Sequence, residues 1–340
     1  MTADLSHSDV SAAEFSAADG AARPARVLVT ICTRGRPRLL SSCLDSVCAQ
    51  APHPGADMEI LVVENNERLT CADLVARKSR ESGKTIHVVL EPELGIPFAR
   101  NRCGVWAQQN GYDWALYVDD DEIARHDWFR TMAEASRVYQ ADVLYGRVVP
   151  IYPPDSPEWM IAPDMDKRPR GMVLRKAEGH NTMVRTRVFD PQGMSLSFDG
   201  AMRFTGGSDT DFFSRVARAG GRIVWIGDAI VDELVPESRM RLRWQLHRTF
   251  RVAINISVQH EKLRGKGIAM TRSLVKGIGR SLGGLLTLPA ALLIPFAPGA
   301  TGLALKRFSF RSAKQLASGL GSFAYAFGVR PQPYRQVDGG

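Results

Sequence analysis

One stretch of the chain predicts both the fold and the position of a site, and it reads Ala115-Leu116-Tyr117-Val118-Asp119-Asp120-Asp121-Glu122. Its apolar first half is typical of a strand that is buried on both faces of a parallel sheet. The acids that follow would emerge at the carboxyl edge of the sheet, where open α/β sheets bind ligands. Because adjacent carboxylates repel one another, a divalent cation bound to a substrate phosphate is the simplest partner for them. The alternative is a solvated acidic turn that caps the next helix.

Three further apolar segments precede this one and alternate with helical patterns. Strands are predicted at residues 26–32, 58–63, 86–90 and 114–118, with helices at 37–50, 71–82 and 95–109. This alternation predicts a right-handed parallel α/β unit, similar to the nucleotide-binding half of a doubly wound fold. Polar residues follow the earlier strands too, at Thr33, Glu64 and Glu91. Glycine-rich phosphate-binding motifs are absent from the sequence, so a nucleotide bound here needs a metal to offset its diphosphate charge.

The second half of the chain has a looser pattern. Strands are predicted at 143–149, 223–225 and 230–235, and the long proline-rich loop between residues 150 and 170 is interpreted as an acceptor-side lid. Residues 206–215 predict a hinge and a helix start that Ser208 or Asp209 caps. For Asp209 the alternatives are a cap and a catalytic base. His180 is either a ligand-binding residue or a histidine whose hydrogen bonds are satisfied at a strand edge.

A helix is predicted from residue 236 to residue 259. Arg241, Trp244, Arg248 and Arg251 lie on one face of it, because their spacing follows the helical repeat. Arginine forks suit diphosphate oxygens and a tryptophan suits a sugar ring. The alternative is a basic face that contacts lipid headgroups.

Five motifs occur along the chain in a specific order. They are Thr33-Arg34, Val63-Glu64-Asn65-Asn66, Gly95 to Asn101, Val118-Asp119-Asp120-Asp121 and Gly206-Gly207-Ser208-Asp209-Thr210-Asp211. With them, residues 26–255 resemble family 2 glycosyltransferases of the GT-A fold, and most of all the bacterial exopolysaccharide branch with its succinoglycan-type glucosyltransferases. The resemblance implies an α/β GT-A nucleotide-diphospho-sugar transferase fold, a mostly parallel twisted sheet with flanking helices. A basic, apolar, membrane-associating region would follow it.

The resemblance also implies a chemistry and a set of site residues. It implies inverting transfer from a UDP-sugar, here UDP-glucose, with Mg²⁺ or Mn²⁺ on Asp119 and Asp121 and with Asp209 as the base. Asp211 would support that base. The residues expected to bind the donor are Thr33, Arg34, Glu64, Arg100, Asp119, Asp120, Trp244, Arg248 and Arg251. Two positions depart from the family pattern: Glu64 stands where the family has Asp, and Ser208 stands before Asp209 where the family has Glu.

Charge separates the C-terminal part of the chain from the rest. The whole chain has 44 Lys+Arg and 36 Asp+Glu residues. Residues 241–340 contain 16 of these basic residues and 2 of the acidic ones, a net charge of +14. Residues 1–240 contain the remaining 28 basic and 34 acidic residues, a net charge of −6. This asymmetry predicts an anionic partner. Because residues 281–305 carry no charge, phospholipid headgroups are favoured and nucleic-acid binding is not expected. The five cysteines show no metal spacing and are expected to be reduced.

Residues 281–305 are long enough to span a membrane but contain Pro289, Pro295 and Pro298. Since basic residues flank both ends, a re-entrant or interfacial hairpin is favoured, a single span comes second and a buried core helix third. The predicted organisation is a disordered extension (1–24), a catalytic domain (25–260) and a membrane-associating region (261–340). Within the catalytic domain, residues 25–122 form the nucleotide half and residues 123–260 the acceptor half.

The expected acceptor is a polyprenyl-diphosphate-linked oligosaccharide at the cytoplasmic face of a bacterial inner membrane, where other polysaccharide-assembly proteins would associate with the enzyme. Two other functions are considered. A sugar-phosphate nucleotidylyltransferase would need a glycine-rich loop with an arginine after the first strand, and Thr33-Arg34-Gly35-Arg36 matches this only weakly. A catalytically silent, membrane-docked nucleotide-sugar binding protein would not need the acids Asp119, Asp121 and Asp209.

Overall fold

The computed structural model describes residues 23–161, 166–203 and 206–329, so most of the predicted N-terminal extension lies outside the described residues. Within these ranges the chain forms a nine-stranded sheet and eight α-helices. The strands are Ala25–Thr33 (β1), Ala56–Glu64 (β2), Ile86–Leu90 (β3), Trp114–Asp119 (β4), Glu122–Ala124 (β5), Val143–Ile151 (β6), Val173–Leu174 (β7), Thr182–Arg185 (β8) and Ile223–Leu234 (β9). The helices are Pro37–Cys48 (α1), Ala72–Ser82 (α2), Ile96–Gln109 (α3), Trp128–Val138 (α4), Ser208–Arg218 (α5), Leu242–Arg264 (α6), Lys266–Thr287 (α7) and Gly299–Ala326 (α8).

The sheet joins a parallel half to a mixed half. Its strand order is β3-β2-β1-β4-β8-β6-β9-β5, and β7 pairs with β9. The first four strands are parallel, as predicted, whereas β8 runs antiparallel to both β4 and β6. In the register of the parallel half, Thr33 lies opposite Glu64 and Cys32 lies opposite Asp119. The polar residues that end these strands therefore meet at one edge of the sheet, which we call the carboxyl edge.

Apolar side chains cover both faces of the sheet, because alternate residues of each strand point in opposite directions. Val27, Val29 and Ile31 of β1 face one core cluster, to which α1, α2 and α4 contribute. Leu28 and Cys32 face a second cluster, which contains residues of α3 and α5. Burial on both faces explains why β1 and β4 read as continuous apolar runs. Four of the five cysteines are buried, and Cys48 is half-buried.

Three predicted boundaries are wrong. The segments at 223–225 and 230–235 form one strand, β9, because a bulge opposite Gly146 and Arg147 absorbs residues 227–229. Helix α6 begins at Leu242 rather than at residue 236, since a 3₁₀ turn at Glu237–Met240 precedes it. Neither Ser208 nor Asp209 caps α5: the N-cap is Gly207, whose φ of 84° favours glycine, and both residues lie in the first turn.

The C-terminal helices α6, α7 and α8 pack on one another. A 3₁₀ segment, Leu288–Phe296, joins α7 to α8, and the charge-free residues 281–305 extend across this connection. Small residues bring the two helices close together, because a side-chain carbon on Gly284 would meet the backbone of Leu316 and one on Gly319 would meet that of Ser281. The contacts are antiparallel, so α7 and α8 form a helical hairpin.

Among the described residues, one helix is long and apolar enough to cross a membrane. It covers Lys266–Phe296, that is, α7 together with the 3₁₀ segment that follows it, 31 residues in all. Its most apolar 18-residue window has a mean hydropathy of 1.5, and 11% of that window is buried. Such low burial does not support the interpretation as a buried core helix. The expected domain boundary at residue 260 lies inside α6, which continues to Arg264.

Candidate active site

The acids after β4 are buried, so the alternative of a solvated acidic turn is wrong. Asp120, Asp121 and Glu122 are 1%, 9% and 1% exposed, and β5 begins directly within the acidic run. We call residues 119–122 the acidic cluster. Buried carboxylates are costly unless hydrogen bonds or cations compensate them. Each acid of the cluster has such partners.

Asp120 is held by the loop that follows β1. Thr33 Oγ1 donates a hydrogen bond of 2.7 Å to Asp120 Oδ2, and Arg36 Nη2 lies 3.0 Å from Asp120 Oδ1. Burial raises the pKa of Asp120 to about 7, against the effect of the Arg36 charge. Thr33 therefore lies in the predicted site, where it positions Asp120. Arg34 lies half-buried in the same loop.

Asp121 faces two arginines that sequence reasoning missed. Its Oδ2 lies 3.5 Å from Arg36 Nη1 and 3.7 Å from Arg239 Nη2, and Arg239 Nη1 donates to Glu233 at 2.7 Å. Burial and the charge of Asp119 raise the pKa of Asp121, while Arg36 opposes the shift. Arg36 could have been found from its place in the loop after β1. Arg239 lies in a 3₁₀ turn, and no sequence signal pointed to it.

Arg100 joins the acidic cluster to the predicted base. Its Nη2 lies 3.1 Å from Asp119 Oδ1, and its Nη1 is paired with Asp209 Oδ1. Arg100 is 4% exposed, and the charges of Asp209 and Asp119 raise its pKa despite burial. Ser208 Oγ also donates to Asp209 Oδ1, at 3.3 Å, so both contacts fall on one oxygen. In the described part of the chain, Asp209 Oδ2 accepts no hydrogen bond.

Gly179 fits tightly against this ion pair. A side-chain carbon at Gly179 would collide with the Arg100 guanidinium and would lie 2.7 Å from Asp209 Oδ1. Glycine is therefore required here for close approach rather than for a special backbone angle. The segment before β8 thus fixes how Arg100 and Asp209 meet.

His180 lies between two carboxylates at the edge of β8. Its Nδ1 is 2.8 Å from Glu122 Oε1 and its Nε2 is 2.7 Å from Glu178 Oε2. Burial opposes protonation, but Glu122 and Glu178 raise the pKa of His180 well above its usual value. Glu122 Oε2 also accepts the backbone N–H of Asp119 at 2.9 Å. Both ring nitrogens of His180 therefore have a hydrogen-bond partner, and His180 contacts the acidic cluster through Glu122.

Glu64, expected at the nucleotide, lies at the end of β2 with its carboxylate turned toward α2. Glu64 Oε2 accepts the backbone N–H groups of Thr70 at 2.5 Å and Cys71 at 2.9 Å, and Oε1 accepts from the Thr70 hydroxyl. Burial acts against ionisation, yet these bonds lower the pKa of Glu64. The neighbouring Asn65 hydrogen-bonds to the backbone of Glu91, Glu93 and Gly95 and so shapes the loop before α3.

The predicted face of α6 lies beside the cluster. The Arg239 and Arg248 guanidinium carbons are 5.7 and 5.8 Å from the centroid of the Trp244 ring, within cation–π distance. The hydrogen bond from His180 lowers the pKa of Glu178, and the charge of Arg248 adds to this. Arg251 lies half-buried on the same helix, one turn beyond Arg248.

The donor atoms at the carboxyl edge fit an ion that substrate helps to bind. In the described ranges, no group of three or more His, Cys, Asp and Glu side chains forms a closed metal cage. Asp119 and Asp121 nevertheless present carboxylate oxygens, which are hard ligands, at the carboxyl edge. The Asp119 side chain is 34% exposed. Mg²⁺ characteristically takes one or two carboxylates and completes its shell with water and phosphate oxygens. These residues therefore fit a divalent ion held together with a diphosphate.

Comparison with known proteins gives a family match and one curated relative. The family model described as "Glycosyl transferase family 2" matches residues 28–196. The succinoglycan biosynthesis protein ExoM of Rhizobium meliloti (strain 1021) is 30% identical over 227 residues, which cover 66% of this chain and 71% of that protein.

Solved structures share the fold. TarS residues 1–349 from S. aureus align with a TM-score of 0.51 and 14% identity, covering 89% of this chain and 92% of that one. The mannosyltransferase PcManGT from Pyrobaculum calidifontis, in complex with GDP-Man and Mn²⁺, aligns with a TM-score of 0.53 and 14% identity, covering 89% and 87%. These likenesses and the family match confirm the expected GT-A fold.

Proposed function

The chain belongs to glycosyltransferase family 2, and from that premise we propose that it transfers glucose from UDP-glucose, with inversion, to a polyprenyl-diphosphate-linked oligosaccharide in exopolysaccharide biosynthesis. The name of the relative ExoM supports the place in succinoglycan-type polysaccharide synthesis. The complex of PcManGT with GDP-Man and Mn²⁺ supports a nucleotide sugar and a divalent ion as ligands of the fold. The choice of glucose and of UDP rests on the family resemblance of the motifs.

The observation that carries the proposal is the bridge made by Arg100. It holds Asp119 and Asp209, which lie 90 positions apart in the sequence, on one buried guanidinium. In a direct displacement, the base and the acid that binds the diphosphate lie on opposite sides of the reacting sugar, at a fixed distance from each other. Because Arg100 contacts both Asp119 and Asp209, it can fix that distance. Neither a solvated turn nor a helix cap would require this arrangement.

Asp209 acts as the general base in this mechanism. Its Oδ1 is held by Arg100 and Ser208, which orient the carboxylate and leave Oδ2 to accept the proton of the acceptor hydroxyl. Such a base contributes roughly 10²–10⁴ to the rate. The activated hydroxyl displaces the nucleoside diphosphate directly at the anomeric carbon, which inverts its configuration.

The leaving diphosphate is bound on the other side of the sugar. Asp119 and Asp121 would hold the Mg²⁺ or Mn²⁺ ion, which supplies Lewis-acid stabilisation of the charge on the leaving group when bound. Thr33 and Arg36 position Asp120 beneath them. Arg34 is assigned to the nucleotide, and Trp244, Arg248 and Arg251 to the diphosphate and the acceptor sugar. Glu64, Arg100 and Asp120, whose charged groups are bonded within the protein, are assigned to shaping the nucleotide site rather than to contacting the nucleotide.

We place the enzyme at the cytoplasmic face of the bacterial inner membrane. The α7–α8 hairpin presents exposed apolar side chains, including Leu286 at 80% and Phe296 at 83%, beside basic residues. This combination suits an interfacial or re-entrant segment that binds anionic headgroups. Other polysaccharide-assembly proteins that handle the same lipid-linked acceptor would meet the enzyme there.

The decisive experiment follows the consumption of a panel of UDP- and GDP-sugars by the full chain in membranes with lipid-linked acceptors. Wild type should consume one donor only with a divalent ion present, Asp121→Ala should abolish this, and Asp209→Asn should slow it strongly. If Asp209→Asn turned over normally, the base would be misassigned. Consumption of no donor would favour a nucleotide-sugar binding protein, and release of inorganic diphosphate from a nucleoside triphosphate would favour a nucleotidylyltransferase.

A further inference from the structure

A cavity of about 750 Å³ lies between α6 and α8, and Trp244 is the residue of its lining that the chemistry proposed above also uses. This volume falls in the range of roughly 300–1,000 Å³ that is typical of small-molecule sites. Apolar side chains from both helices and from the connecting segment form its walls. They are Leu246, Phe250, Leu288, Leu316, Ala317 and Leu320.

Three residues with basic side chains also lie at this cavity. Arg241, Arg243 and His247 also line it, and all three are exposed, which places them on its solvent side. An apolar interior with a basic mouth matches an amphiphile that has an apolar chain and an anionic head. A nucleotide sugar does not match, because the walls offer few polar partners to its hydroxyl groups.

Trp244 connects the cavity to the catalytic edge. It lines the cavity, and its ring centroid lies 5.7 Å from the Arg239 guanidinium carbon. Arg239 Nη2 in turn lies 3.7 Å from Asp121 Oδ2. A head group at the mouth of the cavity would therefore lie within a few side chains of the acidic cluster.

At Leu288 the cavity lining continues into the exposed apolar surface. Leu288 lines the cavity and is the first residue of the 3₁₀ segment Leu288–Phe296. Farther along this segment Leu292 and Phe296 are 75% and 83% exposed. A lipid chain that enters from a bilayer would meet apolar side chains all the way into the cavity.

We propose that this cavity binds the first isoprenoid units of the acceptor lipid, with Arg241 and Arg243 holding its diphosphate. The inference rests on the proposed function, which supplies a polyprenyl-diphosphate acceptor. Arginine forks bind phosphate oxygens through charge-assisted hydrogen bonds, so two arginines suit a diphosphate better than the single phosphate of a phospholipid. A single isoprenoid chain also suits one cavity between two helices.

The test measures binding of farnesyl diphosphate to the full chain in a neutral detergent by equilibrium dialysis. Ala317→Phe fills the cavity and should weaken binding roughly tenfold or more, because it displaces the apolar chain. Arg243→Gln should weaken it by about tenfold through the head group. The matched control is Ala304→Phe, which adds the same ring at an exposed position of α8 outside the cavity lining and should bind as wild type does.

Competing probes show which part of the ligand is recognised. Inorganic diphosphate and farnesol should each bind more weakly than farnesyl diphosphate, since inorganic diphosphate lacks the apolar chain and farnesol lacks the diphosphate. Equal binding by Ala317→Phe and wild type would overturn the assignment, as would displacement of farnesyl diphosphate by phosphatidylglycerol at equal concentration. Thermal unfolding of each variant confirms that a loss of binding is not a loss of fold.

Kinetics separate this inference from the proposed function. With lipid-linked acceptor, Ala317→Phe should raise the acceptor KM by more than the donor KM. If transfer occurs and the acceptor KM does not change, the cavity assignment fails while the function stands. If no donor is consumed but Ala317→Phe still weakens farnesyl diphosphate binding, the function fails while the cavity assignment stands.

Discussion

The carboxyl edge of the sheet and the C-terminal helices α6–α8 handle charge in opposite ways. At the carboxyl edge, the carboxylates of residues 119–122 and of Asp209 share a small set of partners, which are Thr33, Arg36, Arg100, Arg239 and His180. In the C-terminal part, residues 241–340 have 16 basic and 2 acidic residues, so most of these cations have no acid within that part. The edge compensates its acids largely with cations of the protein itself, whereas the C-terminal part carries an excess of positive charge and exposed apolar side chains.

This difference indicates which region depends on exact side-chain positions. The network at the carboxyl edge sets positions for chemistry, so small displacements should be costly. In the proposed membrane contact, apolar and basic side chains of the C-terminal surface would add their separate contributions, so single changes should weaken membrane binding by graded amounts. The four predictions below test that distinction, from the largest expected effect to the smallest.

Arg100→Met should have the largest effect, because it leaves the Asp119 and Asp209 carboxylates without their common cation. Loss of one partner of a buried ion pair costs about 3–5 kcal/mol, and since both carboxylates are partly exposed we expect about 3 kcal/mol. The measurement is the free energy of unfolding from denaturant titration. Arg102→Met on the exposed side of α3 is the control and should change stability by less than about 0.5 kcal/mol. Similar losses for the two variants would contradict the bridge.

Gly179→Ala should displace Arg100 from Asp209, because the added carbon collides with the guanidinium. A misplacement of about 1 Å costs roughly 10² in rate, so we expect kcat to fall by about that factor. Gly267→Ala is the control, since a side-chain carbon there meets no atom within 4 Å. Retention of full activity by Gly179→Ala would show that the base tolerates movement.

Phe296→Glu tests the other region. Phe296 is 83% exposed, and transferring such a side chain out of water is worth about 1.5–3 kcal/mol, so liposome binding should weaken roughly 10- to 100-fold. Val138→Glu, at a position that is 63% exposed on α4, should leave liposome binding unchanged. Equal losses in the two variants would mean that the membrane contact is not at the α7–α8 hairpin.

Glu122→Gln should change how stability depends on pH. Burial raises the pKa of Glu122 from its ordinary 4.5 to about 7. An acid with a raised folded-state pKa contributes stability below its unfolded value, and that stability is lost as pH rises through the folded value. The contribution of protonated Glu122 to stability should therefore be lost between about pH 4.5 and 7.

The Glu122→Gln variant should lose less stability over the same interval, because glutamine does not titrate there. The experiment compares free energies of unfolding in the presence of a chelator. His180, whose pKa is also raised, acts in the same direction at higher pH, and Glu122 is one cause of that shift, so the difference between the two proteins reports the Glu122–His180 pair. Identical pH profiles would contradict the raised pKa.

Much of the nucleotide half could be predicted from the sequence because its signals are local. The strands β1 to β4 are continuous apolar runs, and each ends in polar residues that the parallel register then aligns. Errors appear where local pattern and pairing diverge. β6 pairs with residues on both sides of the bulge in β9, so β9 is one continuous strand. The sequence of residues 227–229 does not by itself indicate this continuity.

The sequence by itself determined the order of elements from β1 to β4, the acids at the sheet edge and the basic, apolar character of the C-terminal part. Only the tertiary structure decided which cations neutralise which acids. Arg36 reaches Asp121 across 85 positions and Arg100 reaches Asp209 across 109. Periodicity and capping act over a few residues, but a buried charge is compensated by whatever the fold brings within a few ångströms, so these pairings appear only when the chain is folded.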